Sequence, residues 1–305
     1  MRLVKVNAPE GQGAVIAQLA LDMGIRTATV YTVQVYSRMR SNFMQDVIEV
    51  KTSSPEAKDF VDRLMSAPFF NPDDYFIAIR YPKSIVSGEM PGRVTLPVVI
   101  PSIDIYEELW EFSHVTFSFI GRAFASAFLL SYGMIQFKLL IMISGLIFFP
   151  YIQEILAVAF GLFTREWRLA LQGVFALIAA TVTIIIAGAL CALLMHPPLQ
   201  FQEYGSVFSG FLLAIIIGAA AGLASADNTG KRELIGLTIS AHTAIFAAWF
   251  GISLVFGFPE VSKTMEYILS FFVNIITITL AASLTYYLMR IKGKAIRNYA
   301  DNVKK

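Results

Sequence analysis

The sequence predicts an α+β chain: a cytoplasmic ferredoxin-like βαββαβ domain followed by an all-α transmembrane domain of six helices. Three observations carry this. The 305 residues are 56% apolar, above the roughly 45–50% of an ordinary soluble domain. The apolar content is segregated: residues 1–110 mix polar and apolar positions, while residues 115–290 hold six long apolar runs. Lys and Arg gather on alternate connections between those runs, a pattern that orients spans in a membrane. The expected divisions are a soluble domain over 1–82, a linker and amphipathic helix over 83–114, the spans over 115–290 and a basic tail over 291–305.

Arg2–Asn7 alternates as a strand and stops at Pro9-Glu10-Gly11-Gln12-Gly13. Because Met1–Ala8 reads as a strand and not as a signal peptide, this domain is expected to stay in the cytoplasm. Ala14–Met23 is a helix with Val15, Ile16, Leu19 and Ala20 on one face. Ala28–Tyr36 and Phe43–Lys51 are β-branched and alternating, which suits a hairpin. Ser54-Pro55-Glu56 opens the next helix, with Phe60, Val61 and Leu64 as its buried stripe. Phe76–Arg80 is the fourth strand, and the order is that of the split βαβ unit. Gly11 and Gly13 precede a helix amino terminus, where an anion could bind. A tight turn entering a helix is the simpler reading. Tyr81–Pro101 is a linker, and Pro101-Ser102 caps a short helix with Ile105, Leu109, Trp110 and Phe112 apolar.

Spans are expected near 115–136, 139–163, 168–194, 206–226, 234–257 and 265–290. Arg165 and Arg168 follow the second, Lys231 and Arg232 the fourth, and Arg290, Lys292, Lys294 and Arg297 the sixth. The third connection has no Lys or Arg. Both termini are therefore expected in the cytoplasm. An offset of 96 residues pairs Ile143-Ser144 with Ile239-Ser240, Phe160-Gly161 with Phe256-Gly257, and Thr181-x-Thr183 with Thr277-x-Thr279. It lays span on span without a gap. Three spans per half would make the halves inverted repeats, a recurring transporter plan.

Glu154 lies inside the apolar stretch Leu139–Phe163, four residues after Pro150. A charge there costs at least a few kcal/mol without a partner or water, and a helix-interior proline frees backbone carbonyls. At about 1.5 Å per residue, Glu154 is roughly 14 Å deep, and Arg122 and His242 are roughly 12 Å deep. One level on three helices predicts a cluster in which Glu154 pairs with Arg122 and His242 is near. The alternative is a buried ion pair that only fixes packing, with Arg122 partly snorkelling. Gln153, Pro150, Asn274, Thr277 and Thr181 complete the candidate path; such groups also serve as interhelical glue.

The single cysteine, Cys191, excludes a disulfide framework and a multi-cysteine metal site. His114, His196 and His242 have no metal-ligand spacing, and no hydrolase, zincin or phosphate-loop motif occurs. No enzyme activity, cofactor, metal or nucleic-acid partner is expected.

The stretches Pro9-Glu10-Gly11, Gly24-Ile25, Asp46–Val50, Thr52–Lys58 and Phe60-Val61-Asp62 resemble a prokaryotic family of uncharacterised membrane proteins labelled as a domain of unknown function. Its members join a soluble amino-terminal domain to several spans. Ala159-Phe160-Gly161-Leu162 and Phe272-Val273-Asn274 fit its membrane pattern. In that family span two resembles Ser-Pro-Leu-x-Gly-Pro and span five Val-Pro-Pro-Leu. Here Pro150 is kept, Gln153-Glu154 takes the Gly-Pro position, and Ile245-Phe246 replaces the paired prolines. Phe246 is also the mate of Pro150 under the offset. A mechanism with two symmetric broken helices is thus in question for this chain. The expected function is transport of a small solute or ion, proton-coupled through Glu154, with homo-oligomerisation through the soluble domain. The rival is a membrane sensor or scaffold whose soluble domain binds a ligand or partner.

Overall fold

In the computed structural model the described residues are 2–36, 42–71, 74–80, 100–149, 151–197, 206–227, 230, 234–241 and 243–291. They form two compact units, one reaching to Ile105 and one spanning Tyr106–Ile291. Most of the expected linker, the tail from residue 292, Pro150, His242 and the turn at Asn228-Thr229 lie outside the described residues.

In the first unit the order is β1 (Arg2–Pro9), α1 (Gly13–Asp22), β2 (Ala28–Val35), β3 (Phe43–Thr52), α2 (Ser54–Met65) and β4 (Phe76–Arg80). The strands form one sheet in the order β2-β3-β1-β4, with every neighbouring pair antiparallel. The period of two in β1 buries Val4, Val6 and Ala8 and leaves Leu3, Lys5 and Asn7 half-exposed. Val4 lies opposite Val50, and Val6 opposite Ile48. Ile16 and Ala20 of α1 and Phe60, Val61 and Leu64 of α2 complete this core. A capping box starts α2: the Glu56 amide donates to Ser53 Oγ at 3.4 Å, and the Ser53 amide donates to Glu56 Oε2 at 3.1 Å.

The second unit is helical. After α3 (Ser102–Phe112), which carries the boundary between the units, come α4 (Phe117–Ile135), α5 (Leu139–Phe148), α6 (Ile152–Thr164) and α7 (Trp167–Leu193). Then follow α8 (Val207–Ser225), α9 (Leu234–Ala241), α10 (Thr243–Phe256) and α11 (Val261–Leu288). Among the described residues 5 segments are long and apolar enough to cross a membrane, one of them being Leu139–Thr164 with α5 and α6 together. This makes the chain a multi-pass membrane protein. The fifth expected span, 234–257, is described instead as α9 and α10, of 8 and 14 residues, on either side of His242. Leu140, Leu171, Ile216 and Leu280 stay exposed, as apolar side chains on lipid-facing surfaces do.

Glycines set how closely these helices approach. A Cβ on Gly145 of α5 would lie 2.7 Å from the Leu130 amide nitrogen of α4. One on Gly188 of α7 would lie 2.8 Å from the Ala248 carbonyl of α10, and one on Gly218 of α8 would lie 2.7 Å from the Ile278 carbonyl of α11. In each case backbone meets backbone, so neither side can yield. Gly218→Ala should destabilise the helical unit by about 1–3 kcal/mol. Gly121→Ala, with nothing within 4 Å, should leave it unchanged or slightly more stable. Thermal unfolding in detergent reads both.

Candidate functional site

The candidate site begins at a break in the second span. A residue before proline is driven out of the α region, and Phe149 is extended, with φ −130° and ψ 101°. Proline at position 150 also has no amide to donate. Helix α5 therefore ends at Phe148, and α6 restarts at Ile152. The Tyr151 amide turns back to the Phe149 carbonyl at 2.9 Å. The first turn of α6 then presents N–H groups with no intrahelical acceptor and the positive end of a helix dipole. Glu154 stands in that turn.

Tyr151, Glu154, Ala157, Val158 and Gly161 recur at intervals of three or four and share one face of α6. That face meets α7. A Cβ on Gly161 would lie 2.5 Å from the Ala170 amide nitrogen, and one on Gly173 would lie 2.9 Å from that of Val158. At the top of the stripe Tyr151 is fully buried, and its hydroxyl lies 2.5 Å from Thr181 Oγ1. Thr181 Oγ1 gives its own proton to the Leu177 carbonyl at 2.7 Å, so Tyr151 is the donor in the pair. Glu154 is 2% exposed, and its Oε2 is buried without a hydrogen-bond partner. Gln153 Oε1, one residue earlier, is in the same position. Chemically, this is a carboxyl group able to exchange a proton or hold a cation beside a hydroxyl pair, near the middle of α7.

The expected ion pair with Arg122 does not form: Arg122 is exposed on α4, and the described residues contain no Arg122–Glu154 contact within ion-pair distance. The reason is angular. The buried stripe of α4 runs through Phe119, Ala123, Ser126, Ala127 and Leu130, and Arg122 falls about a quarter turn from its centre. Asn274, 4% exposed, is buried on α11 with Oδ1 unpartnered. A Cβ on Gly210 would lie 3.2 Å from that oxygen, so Asn274 faces α8. Thr277 is buried on the same helix. His242 and Pro150 lie outside the described residues. Thr183 and Thr279 bond carbonyls four residues back in their own helices, not neighbouring ones. Sequence reasoning missed Tyr151, whose signal was a polar-tipped ring beside the proline. It also missed Ser225 and Tyr286, whose hydroxyls meet at 2.8 Å.

The second sequence candidate, the turn at Gly11 and Gly13, is already filled from within. Asp46 Oδ2 accepts from the Gly11 amide at 2.8 Å and the Gly13 amide at 2.9 Å, and Asp46 Oδ1 accepts from Thr32 Oγ1 at 3.0 Å. The side chain from β3 takes the place of a bound anion. A Cβ on Gly13 would lie 2.9 Å from Asp46 Oδ2, which is why glycine stands there. The Gly13 amide above all, with Thr32 and Gly11, holds the Asp46 carboxyl below the ordinary carboxylate range, against the opposing effect of burial. A depressed folded value means that the stabilisation is complete above the ordinary value of 3.8 and is lost as pH falls through the folded one. Asp46→Ala should speed hydrogen exchange at the Gly11 and Gly13 amides about ten-fold at neutral pH, with the difference narrowing in acid.

Comparison with curated proteins and with solved structures gives no match. Residues 146–280 match the model of the family described as Domain of unknown function (DUF389). The match runs from the end of α5 into α11, so it contains Glu154, Tyr151, Thr181 and Asn274. The amino-terminal stretches that carry the resemblance to an uncharacterised family lie outside it. The membrane-spanning part of this chain is thus similar to the uncharacterised DUF389 family, in agreement with that resemblance.

Proposed function

We propose that the protein is a non-enzymatic membrane transporter or channel for a small solute or ion, with Glu154 as the group that takes up and releases a proton during the cycle. The observation that carries this reading is the buried, unpartnered Glu154 Oε2 at a helix break beside the Tyr151–Thr181 hydroxyl pair. Half-helix ends pointing at a midplane site are a recurring way to bind ions in transporters. A carboxyl kept only for packing would be expected to hold an ion-pair partner, and Arg122 does not supply one.

Helix packing supports two inverted three-span halves, with α9 and α10 together forming the fifth of six spans. Exchanging α4, α5, α6 and α7 for α8, α9, α10 and α11 turns the α4–α7 contact into α8–α11, and α6–α7 into α10–α11. The same exchange turns α7–α10 into α6–α11, α4–α5 into α8–α9, and α4–α10 into α6–α8. All of these pairs are in contact. Helix α10 runs unbroken through Phe246, the mate of Pro150, so the halves differ where the proline is lost. The strand order and antiparallel pairing of the first unit favour the ferredoxin-like reading. We assign that unit a cytoplasmic regulatory or oligomerising role, with both termini on the cytoplasmic side of a prokaryotic inner membrane.

Proton flux into proteoliposomes, followed with an internal pH-sensitive dye, tests the reading. Glu154→Gln should abolish flux while the protein remains folded, and Tyr151→Phe should reduce it about ten-fold, consistent with loss of one hydrogen bond. Flux from Glu154→Gln equal to that of the parent would remove Glu154 from the path.

A further inference from the structure

Strand β2 is one edge of the sheet, and among the described residues no strand pairs with its outer side. Its burial does not alternate. Where β1 buries every second residue, β2 exposes Thr29, Val30, Tyr31 and Thr32 in succession, Val30 by 42% and Tyr31 by 39%. Its sequence, Ala-Thr-Val-Tyr-Thr-Val-Gln-Val, holds no charged residue and no proline, the two residue classes that keep an edge from pairing with another chain. The other edge has both: β4 is 5 residues long, ends on Arg80, and is followed in sequence by Pro82 and Lys83. Helix α1 packs over β2 and β3. Its Leu19 and Met23 join the core, and the opposite flank, Ala14, Ala17 and Leu21, extends the apolar surface of this edge.

We propose that β2 is an interface with a second copy of this chain, the two strands pairing antiparallel about a two-fold axis so that both sheets become one. This interface serves the oligomerising role assigned above to the first unit, and rests on that reading. Charge selects the partner. A strand bearing charges would find no counter-charge on β2, whereas a copy of β2 is equally uncharged and leaves none unpaired. Membership of one bilayer is the second reason. Copies of a multi-pass protein lie in the same plane and orientation, so each edge meets others like it at raised effective concentration. The third is register. A two-fold axis normal to the sheet sets opposite each other only residues of one face. Of the registers with the longest overlap, the one centred on Thr32 gives both Tyr31 rings a β-branched neighbour, the partner's Val33, which is a favourable cross-strand pair. It also sets Thr29 opposite the partner's Val35 and Val30 opposite the partner's Gln34.

The test uses the full chain in membranes with Cys191→Ser, which removes the single cysteine, and then one new cysteine at a time. Directly opposed residues of an antiparallel pair have Cα atoms about 4.5–5.5 Å apart, within reach of a disulfide. Thr32→Cys should therefore crosslink to its own copy under mild oxidation. Thr29→Cys is roughly 20 Å from its copy in this register, at about 3.4 Å per residue. It and Phe76→Cys on β4 should crosslink at least about ten-fold more slowly. Because Thr32 Oγ1 also donates to Asp46, a second pair of variants leaves Thr32 in place. Tyr31→Cys and Val33→Cys, made as chains of different tag length and reconstituted together, should crosslink to each other in preference to themselves. Equal rates at all these positions, as random collision gives, would overturn the proposal. So would fastest crosslinking through Phe76→Cys, or no disulfide either at position 32 or between 31 and 33. Crosslinking is read without a proton gradient, so its failure is distinct from a failure of flux through Glu154.

Discussion

The constraint on which the helical unit depends is that a backbone inside a membrane must satisfy its own polar groups, and Pro150 prevents it from doing so. A continuous helix through residues 139–164 would bury a missing amide and a clash with the preceding turn. The chain instead becomes extended at Phe149 and restarts at Ile152. Everything at the candidate site follows from that restart. It buries Tyr151 against the middle of α7 and places Glu154 in a first turn, where a helix amino terminus favours negative charge.

Around this break the helices are held by proximity more than by polar contacts. Gly145, Gly161, Gly173, Gly188 and Gly218 each bring one backbone against another, and hydroxyls near them mostly return to carbonyls of their own helix. Among the described residues the hydroxyls that bond across helices are Ser126 to the Gly145 carbonyl at 2.6 Å, Ser283 to the Ala159 carbonyl at 3.1 Å, and the Tyr151–Thr181 and Tyr286–Ser225 pairs. Lipid offers no hydrophobic drive for association, so close packing and such bonds carry the assembly. Several buried polar atoms of this unit have no hydrogen-bond partner, and Glu154 Oε2 is the one among the described residues of the unit that belongs to a carboxyl group, the most costly kind to leave so.

The amino-terminal unit reaches its stability by the opposite route. Alternation in β1 and β3 and the apolar stripes of α1 and α2 build an ordinary water-excluding core. Its charged groups are then used to close local structure. Glu56 completes a cap, and Asp46 fills a turn that would otherwise present free amides.

Element type and order were legible in the sequence because they depend on local periodicity. The four strands and two helices of the first unit, the apolar segments of the second and the interruption at Pro150 all follow from spacing and residue type. What the sequence could not supply was angle and partner. Counting residues leads one to expect Arg122 and Glu154 at similar depths, yet Arg122 lies off the buried stripe of its helix. Asn274 turns to α8, while Tyr151 turns to Thr181 of α7. Gly11 and Gly13 look like an open anion site until β3 brings Asp46 to them from more than thirty residues away. These are properties of packing between elements, which no single segment encodes.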